Sequence, residues 1–174
     1  CGSYGVIFWL PQIIQSLTGF SPLIIGLIGA LPWIGVALGM YFNARHSDRT
    51  GERYWHVAVP AVVAAAALLT AWQMGPGLAA MVLLLVAGLG LGSAQGGFWA
   101  IPTQLLKPAS SSVAVVGINI LGSAGGFVMP QLMGIARERS GGFTAPTLLV
   151  VSVLLLAVLL VAAIRVRYRR EIAA

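Results

Sequence analysis

Charge is what this chain has least of. Of its 174 residues only ten are Lys or Arg and four are Asp or Glu. All of them fall in four places: Arg45 to Arg53, Lys107, Arg137 to Arg139 and Arg165 to Glu171. A soluble domain is about one-quarter charged, so the 8% found here excludes an ordinary soluble fold. Cysteine is nearly absent too. Cys1 stands alone, which excludes an internal disulfide and leaves the redox compartment open. His46 and His56 are the only histidines, both in or beside a charged connector, and no nucleophile, base or metal-ligand cluster is assembled. The chain is therefore expected to be no enzyme and to need neither metal nor cofactor. The run Gly88-Leu89-Gly90-Leu91-Gly92-Ser93 is no dinucleotide fingerprint, because Gln95 occupies the third glycine position and no strand precedes it. No low-complexity segment is present, and no separate signal peptide is expected.

What is there is apolar: 59% of residues are hydrophobic. Lipid offers no partner to backbone N–H and C=O groups, so a crossing segment must be a helix of about 20 mainly apolar residues. On that rule the expected spans are Cys1–Leu17, Pro22–Phe42, Trp55–Trp72, Leu78–Leu105, Ser110–Ile135 and Pro146–Ile164. The result is an all-α integral membrane unit over 1–174. Its connectors alternate between neutral and basic. If the first helix starts in the cytoplasm, that side receives Arg45, Arg49, Arg53, Lys107, Arg165, Arg167, Arg169 and Arg170, and the other only Arg137 and Arg139. Basic residues stay inside, so both ends, with the loop 43–54 and the tail 165–174, are expected in the cytoplasm. The net charge of +6 then faces anionic headgroups, not nucleic acid. A start at Cys-Gly-Ser is compatible with a mature lipoprotein, but the missing Met and the first span's lack of a flanking charge point to a fragment that begins inside a helix.

Trp and Tyr normally mark membrane interfaces, and Trp55 and Trp72 fit that role at the ends of the third span. Trp9, Trp33 and Trp99 do not. At about 1.5 Å per residue, Trp33 lies roughly 16 Å beyond Pro22 and Trp99 roughly 12 Å before Lys107, both near mid-membrane. An indole N–H at that depth needs a polar partner, so these rings either pack between helices or face a hydrated cavity. Asn119 lies roughly 14 Å beyond Ser110, with Ser123 one turn on, and Gln95 one turn before Trp99. These polar residues either bond neighbouring helices or line that cavity. No ionisable group occupies any expected span core, although proton relays and charge-binding sites in membranes require one.

Two segments echo each other: Gly5-Val6-Ile7-Phe8-Trp9-Leu10-Pro11-Gln12 and Gly97-Phe98-Trp99-Ala100-Ile101-Pro102-Thr103-Gln104. Either the likeness is chance between two short apolar stretches, or each opens one half of a three-plus-three arrangement, in which an odd helix number inverts the second copy, and such repeats with interrupted helices mark transporter sites. Glycines recur every fourth residue at Gly35 and Gly39, at Gly88, Gly92 and Gly96, and at Gly122 and Gly126, spacing that lets helix backbones approach.

The densest motif runs from Gly39 to His56. Asp48 and Glu52 interleave with Arg45, Arg49 and Arg53, so ion pairs can form, and Gly51 permits a tight bend. Exposed pairs contribute little stability, so these charges serve either as a plain positive-inside loop or as a conformational latch. The motif resembles the signature loop of the major facilitator superfamily, Gly, several residues, then Asp-Arg-x-Gly-Arg-Arg. Within that superfamily the fuller text Arg45-His46-Ser47-Asp48-Arg49-Thr50-Gly51-Glu52-Arg53, with Phe8-Trp9-Leu10-Pro11, Phe98-Trp99-Ala100-Ile101-Pro102 and Gly117-Ile118-Asn119-Ile120-Leu121-Gly122-Ser123, is similar to the anion:cation symporter family.

The resemblance covers nearly the whole chain as helices seven to twelve, the C-terminal six-helix half of a twelve-helix fold. It implies proton-coupled uptake of carboxylates such as tartrate, phthalate or sugar acids, by rocking against a missing N-terminal six-helix half that supplies the proton carriers and a substrate-clamping arginine. It implies cavity residues at Tyr4, Trp99 and Asn119, to which depth and facing add Trp9, Gln12, Trp33, Gln95 and Ser123. The latch is expected at Gly39, Arg45, Asp48, Arg49, Gly51 and Arg53, with Glu52 where the family often has Arg. The expected setting is a bacterial inner membrane. Efflux or transport of another solute, a non-transporting assembly protein and an inactive remnant remain the alternatives.

Overall fold

The computed structural model describes residues 15, 21–75 and 77–173. Among them are six helices and no strand: α1 (Pro22–Thr50), α2 (Trp55–Met74), α3 (Leu78–Phe98), α4 (Ala100–Leu105), α5 (Pro108–Ser140) and α6 (Thr144–Ala173). Tyr4, Trp9 and Gln12, the expected first span and the first copy of the repeat lie outside the described residues. Four stretches among the described residues are long and apolar enough to cross a membrane: Trp55–Met74, Leu78–Leu105, Ser110–Ser140 and Thr144–Arg167.

Small residues set the packing. In lipid no hydrophobic force draws apolar helices together, so close association relies on backbones meeting where side chains are absent. The glycines of α1 and α3 interlock in this way. A Cβ on Gly35 would stand 3.0 Å from the Leu85 carbonyl oxygen, and one on Gly88 2.5 Å from that of Pro32. Gly39 meets the Leu89 carbonyl and Gly92 that of Val36 still more closely. On its other side α3 presses Gly90 against α2, where a Cβ would lie 2.6 Å from the Pro60 carbonyl oxygen. The α2 face is mostly alanine: Ala61, Ala64, Ala65, Leu68 and Ala71 are buried at helical spacing. They join Leu84, Ala87 and Leu91 of α3, Met129 and Met133 of α5, and Val150, Val151 and Leu154 of α6 in the main core. α5 reaches that core near its C-terminal end and otherwise lies against α4 and α6. A Cβ on its Gly117 or Gly122 would meet nothing within 4 Å among the described residues.

Four boundaries differ from the sequence-based expectation, one being the sixth span, expected to end at Ile164 but helical through the tail to Ala173. The segment 43–54, expected as a loop, is helical through Thr50, and only Gly51–Tyr54 form the turn. Charge marks where a helix leaves lipid, not where it stops: Thr50 still donates to the His46 carbonyl at 3.0 Å one turn back. Gly51 then adopts φ 68°, a left-handed C-cap that glycine adopts without strain. The fourth expected span is one stretch broken at Trp99 into α3 and α4. Gly96 and Gly97 precede the break, and Pro102 has no N–H for the Phe98 carbonyl. The fifth span, expected to end at Ile135, continues as helix to Ser140, where Gly141 caps it through an N–H to the Arg137 carbonyl at 2.9 Å.

Candidate functional site

The signature motif builds a compact joint between α1 and α2. Arg53 pairs with Asp48 across the Gly51 turn, and its Nη1 also donates to Ser47 Oγ at 3.1 Å. Ser47 is fully buried and donates in turn to the Glu52 carbonyl at 2.6 Å, folding the turn back on the last turn of α1. Glu52 caps the next helix. Its carboxylate accepts from the Trp55 N–H at 2.9 and 3.0 Å and from the His56 N–H at 3.4 Å, the unpaired donors at a helix start that favour an anion. His56 Nδ1 lies 3.1 Å from the same carboxylate, and His56 Nε2 lies 2.6 Å from Nδ1 of His46. Burial raises the pKa of the Glu52 carboxyl, but the Trp55 N–H, the His56 ring and the His56 N–H outweigh it and hold the group below its ordinary 4.5. From α6, Arg165 reaches Glu52 Oε1 at 3.9 Å and stacks its guanidinium 5.1 Å from the Trp55 ring centre. The far end of the helix is therefore tied to the same joint.

Of the expected latch residues, the structure joins Asp48, Arg53 and the Gly51 turn. Arg45 and Arg49 form no ion pair among the described residues. Arg45 instead contacts the Tyr41 hydroxyl at 3.5 Å, beside an open groove of about 740 Å³ that runs along Ala37, Met40, Ala44 and Arg49. Gly39 serves the α1–α3 contact. Sequence reasoning missed Ser47, His46, His56 and Arg165 as parts of the joint. Glu52 alone left a trace, a carboxylate just ahead of an apolar run, where a helix N-terminus favours an anion.

The expected cavity residues lie on three helices: Trp33 on α1, Gln95 on α3 with Trp99 at its end, and Asn119 and Ser123 on α5. Trp33, Gln95, Asn119 and Ser123 are exposed and Trp99 is half-buried. Trp99 meets Phe98 edge to face, and the Asn119 amide donates to the Val115 carbonyl of its own helix at 3.2 Å. No hydrogen bond or ring contact joins the five to one another among the described residues. None of the five belongs to the main core.

The family model of the Major Facilitator Superfamily matches residues 1–130. The chain belongs to that superfamily. Similar proteins include a "Putative tartrate transporter" of Agrobacterium vitis, 35% identical over 159 residues, which are 91% of this chain and 35% of the relative. A "Quinolone resistance transporter" of Acinetobacter baumannii is 34% identical over 143 residues, covering 82% of this chain and 33% of its own length. The "Inner membrane transport protein RhmT" of Escherichia coli strain K12 is 30% identical over 164 residues, covering 94% and 38%. This superfamily chain thus spans about a third of the length of the curated relatives it matches. No solved structure matches it.

Proposed function

We propose that the chain is one half of a secondary active transporter that takes up a small carboxylate with protons, by alternating access against a second six-helix half. The observation that carries this reading is the set Trp33, Gln95, Trp99, Asn119 and Ser123. Polar groups within a membrane are costly and normally face a bundle interior or a water-filled path. Four of them are exposed, Trp99 is half-buried, and none belongs to the main core. A path between two halves would account for polar groups left uncovered by their own bundle. The names of the A. vitis relatives support a carboxylate as the solute. On this reading the counter-charge and the proton carrier belong to the other half, since the expected span cores hold no ionisable group. The joint around Asp48 and Arg53 acts as the latch on the cytoplasmic side of a bacterial inner membrane, a setting the RhmT name supports.

The quinolone relative favours a second reading, export of a larger aromatic acid, to which the indoles of Trp33 and Trp99 are suited. A binding panel separates the two. The transporter containing this half, purified in detergent, is titrated with tartrate, phthalate, a sugar acid and a quinolone while its thermal midpoint is followed. A carboxylate is expected to raise the midpoint through preferential binding to the folded state. Stabilisation by the quinolone alone would replace the uptake reading with the export one.

A further inference from the structure

Asn43 has a role that the signature pattern does not ask of it. It sits on α1 where the apolar part of the helix meets its charged end, half-buried between α2 and α3. Its Nδ2 donates to the His56 carbonyl at 2.7 Å and to the Ser93 carbonyl at 2.8 Å, 13 and 50 residues away in the chain. The His56 carbonyl lacks its ordinary helical partner: that donor would be the N–H of residue 60, and residue 60 is Pro, with no N–H to give. A buried carbonyl left unpaired is costly, and Asn43 fills the vacancy that Pro60 opens. The Ser93 carbonyl is reachable because glycines strip α3 of side chains on both sides. A Cβ on Gly96 would stand 3.0 Å from the Met40 carbonyl oxygen, and one on Gly97 3.3 Å from that of His56. A primary amide has two N–H groups to divide between two acceptors. Serine offers one, and aspartate none.

We infer that Asn43 is a positioning residue that couples the signature joint to the turn carrying Gln95 and Trp99. Its partner on α2, His56, is the residue whose ring bridges His46 and Glu52. Its partner on α3, Ser93, lies two residues before Gln95. A displacement of the joint is thereby transmitted to the helix segment that carries two of the candidate site residues. The functional consequence rests on the transport reading, but the mechanical linkage does not.

The test uses the full chain in nanodiscs, with Cys1→Ser and a reporter Gln95→Cys, and measures the labelling rate of the reporter by a maleimide without any solute present. Asp48→Asn perturbs the joint by breaking the pair with Arg53. With Asn43 in place it is expected to change the labelling rate at least about twofold, the lower end of coupling within one network. With Asn43→Ala the same perturbation is expected to leave the rate unchanged. Asn43→Ala should also lower the thermal midpoint. Pro60→Ala should recover most of that loss, because alanine at that position supplies its own N–H to the His56 carbonyl, yet it should not restore the response to Asp48→Asn. The double variant thus separates filling a carbonyl from bridging two helices, and it keeps the test open if Asn43→Ala alone does not fold. An equal response with and without Asn43, or none in either background, would overturn the coupling. A midpoint that Pro60→Ala cannot recover would overturn the vacancy argument. Because no solute is used, these outcomes are independent of whether carboxylates are carried.

Discussion

At the scale of single residues, Glu52 shows how a departure from a family pattern acquires a local role. A second basic residue after the glycine would place a cation against the N–H groups that open α2, whereas Glu52 presents a carboxylate to them. Because folding lowers its pKa, Glu52 contributes stability that is fully present above the unfolded value near 4.5 and is lost as pH falls through the lower folded value. Glu52→Gln is therefore expected to lower the thermal midpoint at pH 7, and the gap from the parent chain to narrow as pH drops below 4.5. A gap that widens on acidification would show that the cap is not the source. Trp99 and Asn119 carry a different expectation. Loss of a hydrogen bond to a charged solute costs about 1.5 to 3 kcal/mol, more than tenfold in affinity. In the intact transporter Asn119→Ala and Trp99→Ala should each weaken solute binding at least about tenfold with expression and thermal midpoint near the parent's. A packing role would reverse the pattern, with stability falling and the affinity of the folded fraction unchanged.

At the scale of helices, much was legible because lipid makes the rules few. The spans beginning at Trp55 and Leu78 were readable from uninterrupted apolar runs, and the glycine spacing marked α1 and α3 as helices able to approach closely, which they do. The same spacing on α5 was no guide. Gly35, Gly39, Gly88 and Gly92 face backbone, while Gly122 faces open space among the described residues, and period alone does not say which face finds a partner. The end of α1 was misplaced for a related reason, since charge reports the membrane boundary while the Gly51 C-cap ends the helix. The joint's inner contacts, Ser47 with Glu52 and Arg165 with Trp55, were invisible because they depend on which helix ends meet. The interlock has a direct consequence. Gly92→Leu should force α1 from α3 and destabilise the chain by more than the roughly 1 to 3 kcal/mol typical of overpacking, since its obstacle is backbone. Gly122→Leu should be tolerated by this chain in isolation. Equal losses in denaturant unfolding of the two variants would contradict the α1–α3 contact as the bundle's tight seam.

At the scale of the whole molecule, a superfamily bundle is proposed to work against a partner half and in one direction across the membrane. If basic residues stay inside, the joint around Asp48 and the tail beyond Arg165 are expected in the cytoplasm. Single cysteines at Asp48 and Arg167, in a Cys1→Ser background, should resist an impermeant thiol reagent in intact cells, and one at Gly75 should label. Labelling of the first two from outside would invert the orientation. The central claim is that this bundle supplies one wall of a proton-coupled path and cannot complete it alone. Proteoliposomes bearing an imposed pH gradient test that most directly, with radiolabelled tartrate offered to vesicles holding this chain alone or together with its six-helix partner. Accumulation is expected only with both halves, and to collapse when the gradient is dissipated. Gradient-driven accumulation by this chain alone, or accumulation by the pair that ignores the gradient, would contradict it.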